Sequence, residues 1–332
     1  MSIVGSQISI SIIIPTYNRS KYILKTLEIF VIQNYPKDLY EIIVADNNSI
    51  DDSSQIIKEY IKSVKHPNCK YICEKRQGVH FARNTAAKMA KNDILYFTDD
   101  DMIADQNLLS EIIKPFQFNE SVANVTGRIL PIWEVKPPRW ILNHCNNSLL
   151  SLLDPPDEFL ITKDINFLYS CHQAIKKDVF FHCEGFNPEY TKSVYLGDGE
   201  TGLNIKVKKL GYKFGYNGKS IIYHIIPPQR MTQKYLNNRI GNNGNAHSYT
   251  EYREKTPSNF RLILLIFKRT FIIAPVRLCI FLIKAIIIFD SAYLRFFLAY
   301  CFYYYNRLIY DLKILFNPTW KKFVLKRDWL SE

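Results

Sequence analysis

The chain has 332 residues, 47% of them hydrophobic, with 22 Tyr, 21 Phe, 12 Gly and 15 Pro. This is enough apolar material for one large domain or two ordinary ones, and too little Gly and Pro for a disordered or low-complexity polymer. The formal charge of +12 is uneven: residues 261–332 carry twelve Lys/Arg against four acids, set among Ile, Leu and Phe. A basic, apolar tail suits an anionic membrane surface; nucleic-acid arms are more polar, so no nucleic-acid partner is expected.

Seven cysteines, irregularly spaced and without C-x-x-C, read as reduced thiols of a cytosolic chain and disfavour a zinc site. The segment "MSIVGSQISISIIIP" lacks a basic n-region and a cleavage pattern. Its apolar residues are expected in a strand rather than a signal peptide.

The first 130 residues alternate two periods. "ISISIIIP" (8–15) is short and β-branched, which predicts a buried strand. Ser20 is placed to cap a helix with apolar Ile23, Leu24, Leu27, Phe30 and Val31. "YEIIVA" (40–45) predicts a second strand, 51–64 a helix, "KYICEK" (70–75) a third strand and 79–92 a helix with one small-residue face. "DILYFT" (93–98) predicts a fourth strand and 105–118 a further helix. From 122 to 226 further strands are expected at "VANVTG", "SCHQAIKK" and "SIIYHII", with Pro-rich loops between them. Strands interleaved with helices imply a mostly parallel sheet covered on both faces, with ligands at the carboxyl ends of the strands. Thr16, Tyr17, Asn18 and Arg19, then Asp46 and Asn48, then Asp99, Asp100 and Asp101 all fall at such ends.

Three consecutive acids after a strand admit two readings. They could form a solvated turn that caps the next helix. They could equally hold Mg²⁺ or Mn²⁺, which takes one or two carboxylates and leaves room for phosphate oxygens. In "YLGDGETGL", Asp198 and Glu200 read either as a helix start or as a general base acting on a hydroxyl. His224 interrupts an apolar strand, as a core residue or as a metal or phosphate ligand. Arg83 is a surface cation or a phosphate clamp. No Walker-type loop occurs, and no G-x-G-x-x-G follows the first strand, which disfavours ATPases and dinucleotide oxidoreductases.

Four stretches in register, "SIIIPTYNR", "IIVADNNSIDDS", "GVHFARNTAAKMAKNDILYFTDDDM" and "GDGETGL…LGYKFGYNGKSIIYH", resemble the inverting family 2 glycosyltransferases over residues 8–226. The resemblance implies a GT-A fold, which is Rossmann-like, with Mn²⁺ or Mg²⁺ as cofactor. It implies a nucleotide-sugar donor, with UDP the expected nucleotide. Pro15, Thr16 and Tyr17 would line the nucleotide pocket together with Arg19, Asn48, Arg83, Asp99 and Asp100, and Asp46 would bind the base. Asp99, Asp101 and His224 match the metal positions. Asp198 matches the general base and Glu200 its acidic neighbour. One sugar would pass, with inversion, to a glycan or lipid-linked acceptor in surface-polysaccharide or glycolipid assembly.

The chain departs from the family pattern at "SCHQAIK", where Ser170 and His172 stand for Gly and Asn, and it lacks the Q-x-x-R-W of processive synthases. A single addition per encounter is therefore expected. A metal-dependent nucleotidyltransferase and a non-catalytic sugar-nucleotide-binding scaffold are the competing readings.

The expected division is a catalytic domain at 1–230, with a nucleotide-sugar half to about 120 and an acceptor half at 121–230, followed by a helical region at 231–332. In that region "FIIAPVRLCIFLIKAIIIF" (271–289) is long enough to span a bilayer, but Arg277, Lys284 and Pro275 oppose a comfortable span. Helices lying in the interface on the cytoplasmic side, or a re-entrant helical hairpin dipping into one leaflet, with Lys and Arg snorkelling, are expected ahead of a full span.

Overall fold

The computed structural model describes residues 8–145, 149–163, 168–191, 194–195 and 197–330. The expected N-terminal strand is therefore described only from residue 8 onward. The first half runs β1 (Ile10–Thr16), α1 (Ile23–Val31), β2 (Tyr40–Asp46), α2 (Ser53–Ser63), β3 (Asn68–Cys73), α3 (Val79–Met89) and β4 (Ile94–Thr98). There follow β5 (Met102–Ala104), α4 (Leu108–Ile112), α5 (Lys114–Phe118), β6 (Val122–Trp133), α6 (Arg139–His144) and β7 (Phe159–Thr162). Then come β8 (His172–Lys176), α7 (Lys177–His182), the small ladder β9 (Tyr190–Thr191) with β10 (Val194–Tyr195), α8 (Gly199–Lys209) and β11 (Lys213–Ile226). The tail is helical: α9 (Gln233–Lys255), α10 (Asn259–Lys268), α11 (Ala274–Ile287), α12 (Ala292–Phe316) and α13 (Pro318–Leu325).

One sheet runs β3-β2-β1-β4-β8-β6-β11-β5, with β7 also on β11. The β3-β2-β1-β4 half is parallel, as the alternation predicts. The other half is mixed rather than mostly parallel: β8 runs antiparallel to β4 and β6, and β5 antiparallel to β11. Period-two alternation divides the core between the two faces. Ile12, Ile14, Ile42, Val44 and Tyr96 belong to one buried cluster, and Ile13, Ile43, Ala45, Leu95 and Phe97 to the other.

Two local expectations change. Residues 105–118 form two short helices, because Pro115 has no amide to continue the ladder of the first. Ser20 does not cap α1, which starts after Tyr22; its amide bonds to Asp51 Oδ2 at 3.2 Å.

The tail packs on this frame. Leu236 of α9 and Ala299 of α12 join the core built on the sheet. Buried Arg269 reaches Asp311 of α12 and Glu251 of α9, each at 2.5 Å, and Arg307 also bonds Glu251. α10 and α11 are joined by a π-helical turn, Arg269–Ile273, giving one apolar helix from Asn259 to Ile287 whose most apolar stretch is only 6% buried. Gly244 lets α9 and α12 approach closely: a Cβ there would lie 2.3 Å from the Tyr303 carbonyl oxygen. Gly244→Ala is therefore expected to cost about 1–3 kcal/mol, the range for overpacking, measurable as a lower urea midpoint at unchanged m.

Candidate active site

The carboxyl ends of β1, β2 and β4 open into a cleft of about 740 Å³. Its shape is set by short tethers. The loops after β1 and β2 hold each other through Asn18 N donating to Ser49 Oγ and Ile50 N to Asn18 Oδ1 (3.0 and 2.9 Å). Thr26 of α1 donates to the carbonyls of Asp100 and Met102 (2.8 and 3.1 Å), fixing the acidic turn from below. β5, which leaves that turn, pairs with β11 so that Met102 faces His224. The chain-distant histidine thereby arrives beside Asp101.

Three carboxylates in a row are held by three guanidinium groups. Arg83 bonds Asp99 at 2.5 Å, Arg19 lies 3.6 Å from Asp100, and Arg230 bonds Asp101 at 2.8 Å. Burial pushes the Asp100 carboxyl up, and the charge of Asp101 acts in the same direction. The Nδ1 of His224 lies 2.9 Å from the Leu150 carbonyl and so carries the proton, leaving Nε2 as a lone pair. Arg230 donates to that Nε2, which is 3.8 Å from Asp101 Oδ1. Burial, then the Arg230 charge, push the His224 imidazole down to about 3, so it is neutral at working pH. Buried Asp101 Oδ1 has no hydrogen-bond partner among the described residues. The open Asp101 Oδ1 is an oxygen donor suited to Mn²⁺ or Mg²⁺. The His224 Nε2 lone pair is of the type that ligates Mn²⁺ but is held by Arg230, so the residues fit the metal expected from the sequence once that guanidinium moves aside.

A hydrogen-bond chain crosses the cleft. Arg83, almost fully buried, donates to Ser170 Oγ at 2.8 Å, and Ser170 Oγ donates to Glu200 Oε2 at 3.0 Å. Glu200 stands in the first turn of α8, where the helix dipole favours an anion. Beside it, His80 Nε2 lies 3.1 Å from Glu189 Oε2 and 3.7 Å from Glu200 Oε2. Ligand atoms of His80, Glu189 and Glu200 lie within 4.8 Å of one another, a group of metal-ligating type at the cleft.

Of the residues singled out from the sequence, Pro15, Thr16, Tyr17, Arg19, Asn48, Arg83, Asp99, Asp100, Asp101 and Glu200 line the cleft. His224 stands behind Asp101. Two do not face the cleft. Asp46 is buried, its carboxylate accepting from Ser49 N at 2.9 Å and the Tyr71 hydroxyl at 2.7 Å. Asp198, expected as the base, is buried and accepts from Asn187 Nδ2 and the Thr250 hydroxyl, both at 2.7 Å, so it ties α8 to α9. The acid that faces the cleft is its neighbour Glu200.

Arg230, His80, Glu189 and Arg239 carried no expectation in the sequence, and Ser170 stood out there only as a departure from the family pattern. Arg230 had one signal, its place six residues after His224 across Pro227 and Pro228. His172, which replaces the family's Asn, is structural. It accepts from the Tyr96 hydroxyl at 2.7 Å, faces the Ser220 carbonyl, and is pushed down to about 4 by burial.

Comparison with known proteins agrees with this architecture. Residues 11–182, just over half the chain, match the model of the family described as Glycosyl transferase family 2. The chain belongs to that family. It is 37% identical over 233 residues to the poly(ribitol-phosphate) beta-glucosyltransferase of Bacillus spizizenii, an alignment covering 67% of this chain and 35% of that protein. It is 40% identical over 109 residues to the dolichyl N-acetyl-alpha-D-glucosaminyl phosphate 3-beta-D-2,3-diacetamido-2,3-dideoxy-beta-D-glucuronosyltransferase of Methanococcus voltae, covering 32% of this chain and 34% of the relative. The chain spans about a third of the length of these curated relatives.

Among solved structures, a Pyrobaculum calidifontis mannosyltransferase in complex with GDP-Man and Mn²⁺ is similar at a TM-score of 0.57. It is 20% identical, over 75% of this chain and 65% of that one. GalNAc-T7 with UDP, GalNAc and Mn²⁺ is similar at 0.54 and 17% identity, over 72% of this chain and 48% of that one. These likenesses show a shared GT-A fold.

The geometry makes Asp198 a structural tie. Thr250→Val, which removes one hydrogen bond to that carboxylate, is expected to cost about 1.5–3 kcal/mol in urea denaturation without changing nucleotide binding. Burial raises the Asp198 carboxyl above its ordinary value of 3.8. The stability linked to its proton is therefore present below 3.8 and lost as pH rises through the raised folded-state value. Asp198→Asn should flatten that slope in urea midpoints taken across pH.

Proposed function

We propose that this chain is an inverting, metal-dependent glycosyltransferase. It moves one sugar from a nucleotide-sugar, with UDP the expected nucleotide, to a hydroxyl of a glycan or lipid-linked acceptor in surface-polysaccharide or glycolipid assembly. The observation that carries the reading is the chain Asp99–Arg83–Ser170–Glu200. It joins the acids of a donor site to a cleft-facing carboxylate on the opposite wall.

The loops bearing Thr16, Tyr17 and Asn48 offer the nucleotide a wall at the sheet rim. Arg19, Arg83 and Arg230 set positive charge around the diphosphate, where charge grows as the glycosidic bond breaks. Asp99, Asp101 and His224 would hold the divalent ion, which when bound supplies further positive charge to the leaving diphosphate. Glu200 takes the proton of the acceptor hydroxyl as its oxygen bonds to the anomeric carbon. The bond from that carbon to the diphosphate oxygen breaks on the opposite face, the electron pair departs with the diphosphate, and configuration inverts. Ser170, donating to Glu200 and held by Arg83, fixes the base in register with the donor acids.

Glu200, not Asp198, is thus the proposed base. Glu200→Gln is expected to lower kcat by about 10²–10⁴-fold while nucleotide binding persists. Asp198→Asn is expected to keep turnover within about tenfold, since it acts on stability and not on the proton. Equal losses in steady-state kinetics would return the role to Asp198. EDTA should abolish turnover and Mn²⁺ restore it in the wild type, with Asp101→Asn unresponsive to both.

The membrane surface is the proposed location. The helix from Asn259 to Ile287 exposes Phe267, Phe271, Ile272, Ile283 and Ile286, with Arg277 and Lys284 interspersed. Binding of the full chain to vesicles containing phosphatidylglycerol, read by flotation, is expected to fall at least tenfold in Phe271→Asp/Ile286→Asp, as burial of two large apolar side chains is lost. Extraction of the wild type by alkaline carbonate would support an interfacial helix, and retention a spanning one.

A further inference from the structure

A second cavity, of about 410 Å³, lies between α6, α9 and α12. Arg239 of α9 lines both it and the main cleft. The route between them is short. Arg239 Nη1 is 3.7 Å from Glu189 Oε1, and the other oxygen of Glu189 lies 3.1 Å from His80, beside Glu200. A molecule in the second cavity therefore has its inner end directed to the wall that carries the proposed base.

The lining states a chemistry. Asn143 and His144 come from α6, Arg239 and Asn243 from α9, and Phe296 and Tyr300 from α12. No carboxylate is among the described lining residues. Two acids reach these groups from outside the lining: Glu189 lies 3.7 Å from Arg239 Nη1, and Asp290 2.7 Å from His144 Nε2. The guanidinium, the imidazole and the side-chain amides still turn donors toward the cavity, and such donors suit phosphate oxygens. Aromatic faces beside them suit a sugar or a hydrocarbon chain.

The outer side gives the source of such a ligand. Phe296 and Tyr300 pack on Phe281 of α11, with centroids 6.2 and 4.9 Å apart. The neighbouring Ile280 and Ile283 on that helix are exposed. The cavity thus lies one helix behind an apolar surface of the kind that the chain of an amphiphile can contact.

We infer that this cavity is the acceptor site, and that it holds the phosphate-bearing end of the acceptor with the receiving hydroxyl directed past Arg239 to Glu200. The inference rests on the glycosyltransferase reading above, and deepens it by naming where the acceptor binds and by which group.

The test is a thermal shift on the full chain with three probes: undecyl phosphate, undecanol and glycerol 3-phosphate. UDP with Mn²⁺ serves as an independent control of the donor cleft. Undecyl phosphate is expected to raise Tm by about 2–4 °C at saturation, and undecanol to do much less. Asn243→Phe, which fills the cavity from α9, and Asn143→Phe, which fills it from α6, should both lose that rise and keep the rise with UDP. A rise with glycerol 3-phosphate that is lost in both variants would also support the site, and would make the acceptor a polyol phosphate and not a lipid. Equal responses to undecyl phosphate and undecanol, or an unchanged response in both filled variants, would overturn the inference. Loss of the UDP response in the wild type would instead count against the glycosyltransferase reading.

Discussion

The arrangement depends on charge balance at the carboxyl edge of one sheet. Asp99, Asp100 and Asp101 are adjacent in the chain, the last two buried and Asp99 partly exposed, so their mutual repulsion must be met locally. The fold meets it with three arginines from three different segments: the loop after β1, the α3 helix, and the turn after β11. Two of the three arginines also tie the acids to other parts of the site. Arg83 carries the link to Ser170 and Glu200, and Arg230 carries the link to His224. Neutralising the acids and assembling the cleft are therefore one structural event. The same three cations line the cleft, so the charge that balances the acids is also the charge that the proposed diphosphate would face.

Much of this was legible in the residues. The parallel half of the sheet follows from β-branched runs spaced by amphipathic stretches, and the rim residues Thr16, Asn48 and Asp99–Asp101 follow from where those runs end. The second half was less legible because α6 and α7 are only six residues long and, among the described residues, no helix separates β7 from β8, so the pattern gives little sign of strand direction. β8 inserts antiparallel between β4 and β6, a choice made by packing against both neighbours and not by its own pattern. The break at Pro115 was readable and went unread, since the apolar periodicity continues across it.

The choice between Asp198 and Glu200 shows a different limit. Two acids two residues apart at a helix start point in different directions, and the sequence does not say which faces the ligand. Here Asp198 is claimed by Asn187 and by Thr250, fifty-two positions further on, which leaves Glu200 to the cleft. Asp46 is similarly claimed, by Ser49 and Tyr71. Partners that arrive from distant segments decide which of several equivalent side chains remains available, and such partners carry no local signature. Arg230 belongs to the same class: its role appears only when β5 and β11 have paired.

The Asp198–Thr250 contact has a mechanical side. Asp198 sits at the entry to α8, Glu200 follows within the same turn, and Thr250 lies on the long helix that also contacts Tyr303 and Glu251's arginine partners in the tail. The contact thus links α9, and the tail helices packed on it, to the turn from which Glu200 projects, so the tail belongs to the framework of the cleft as well as to the outer surface.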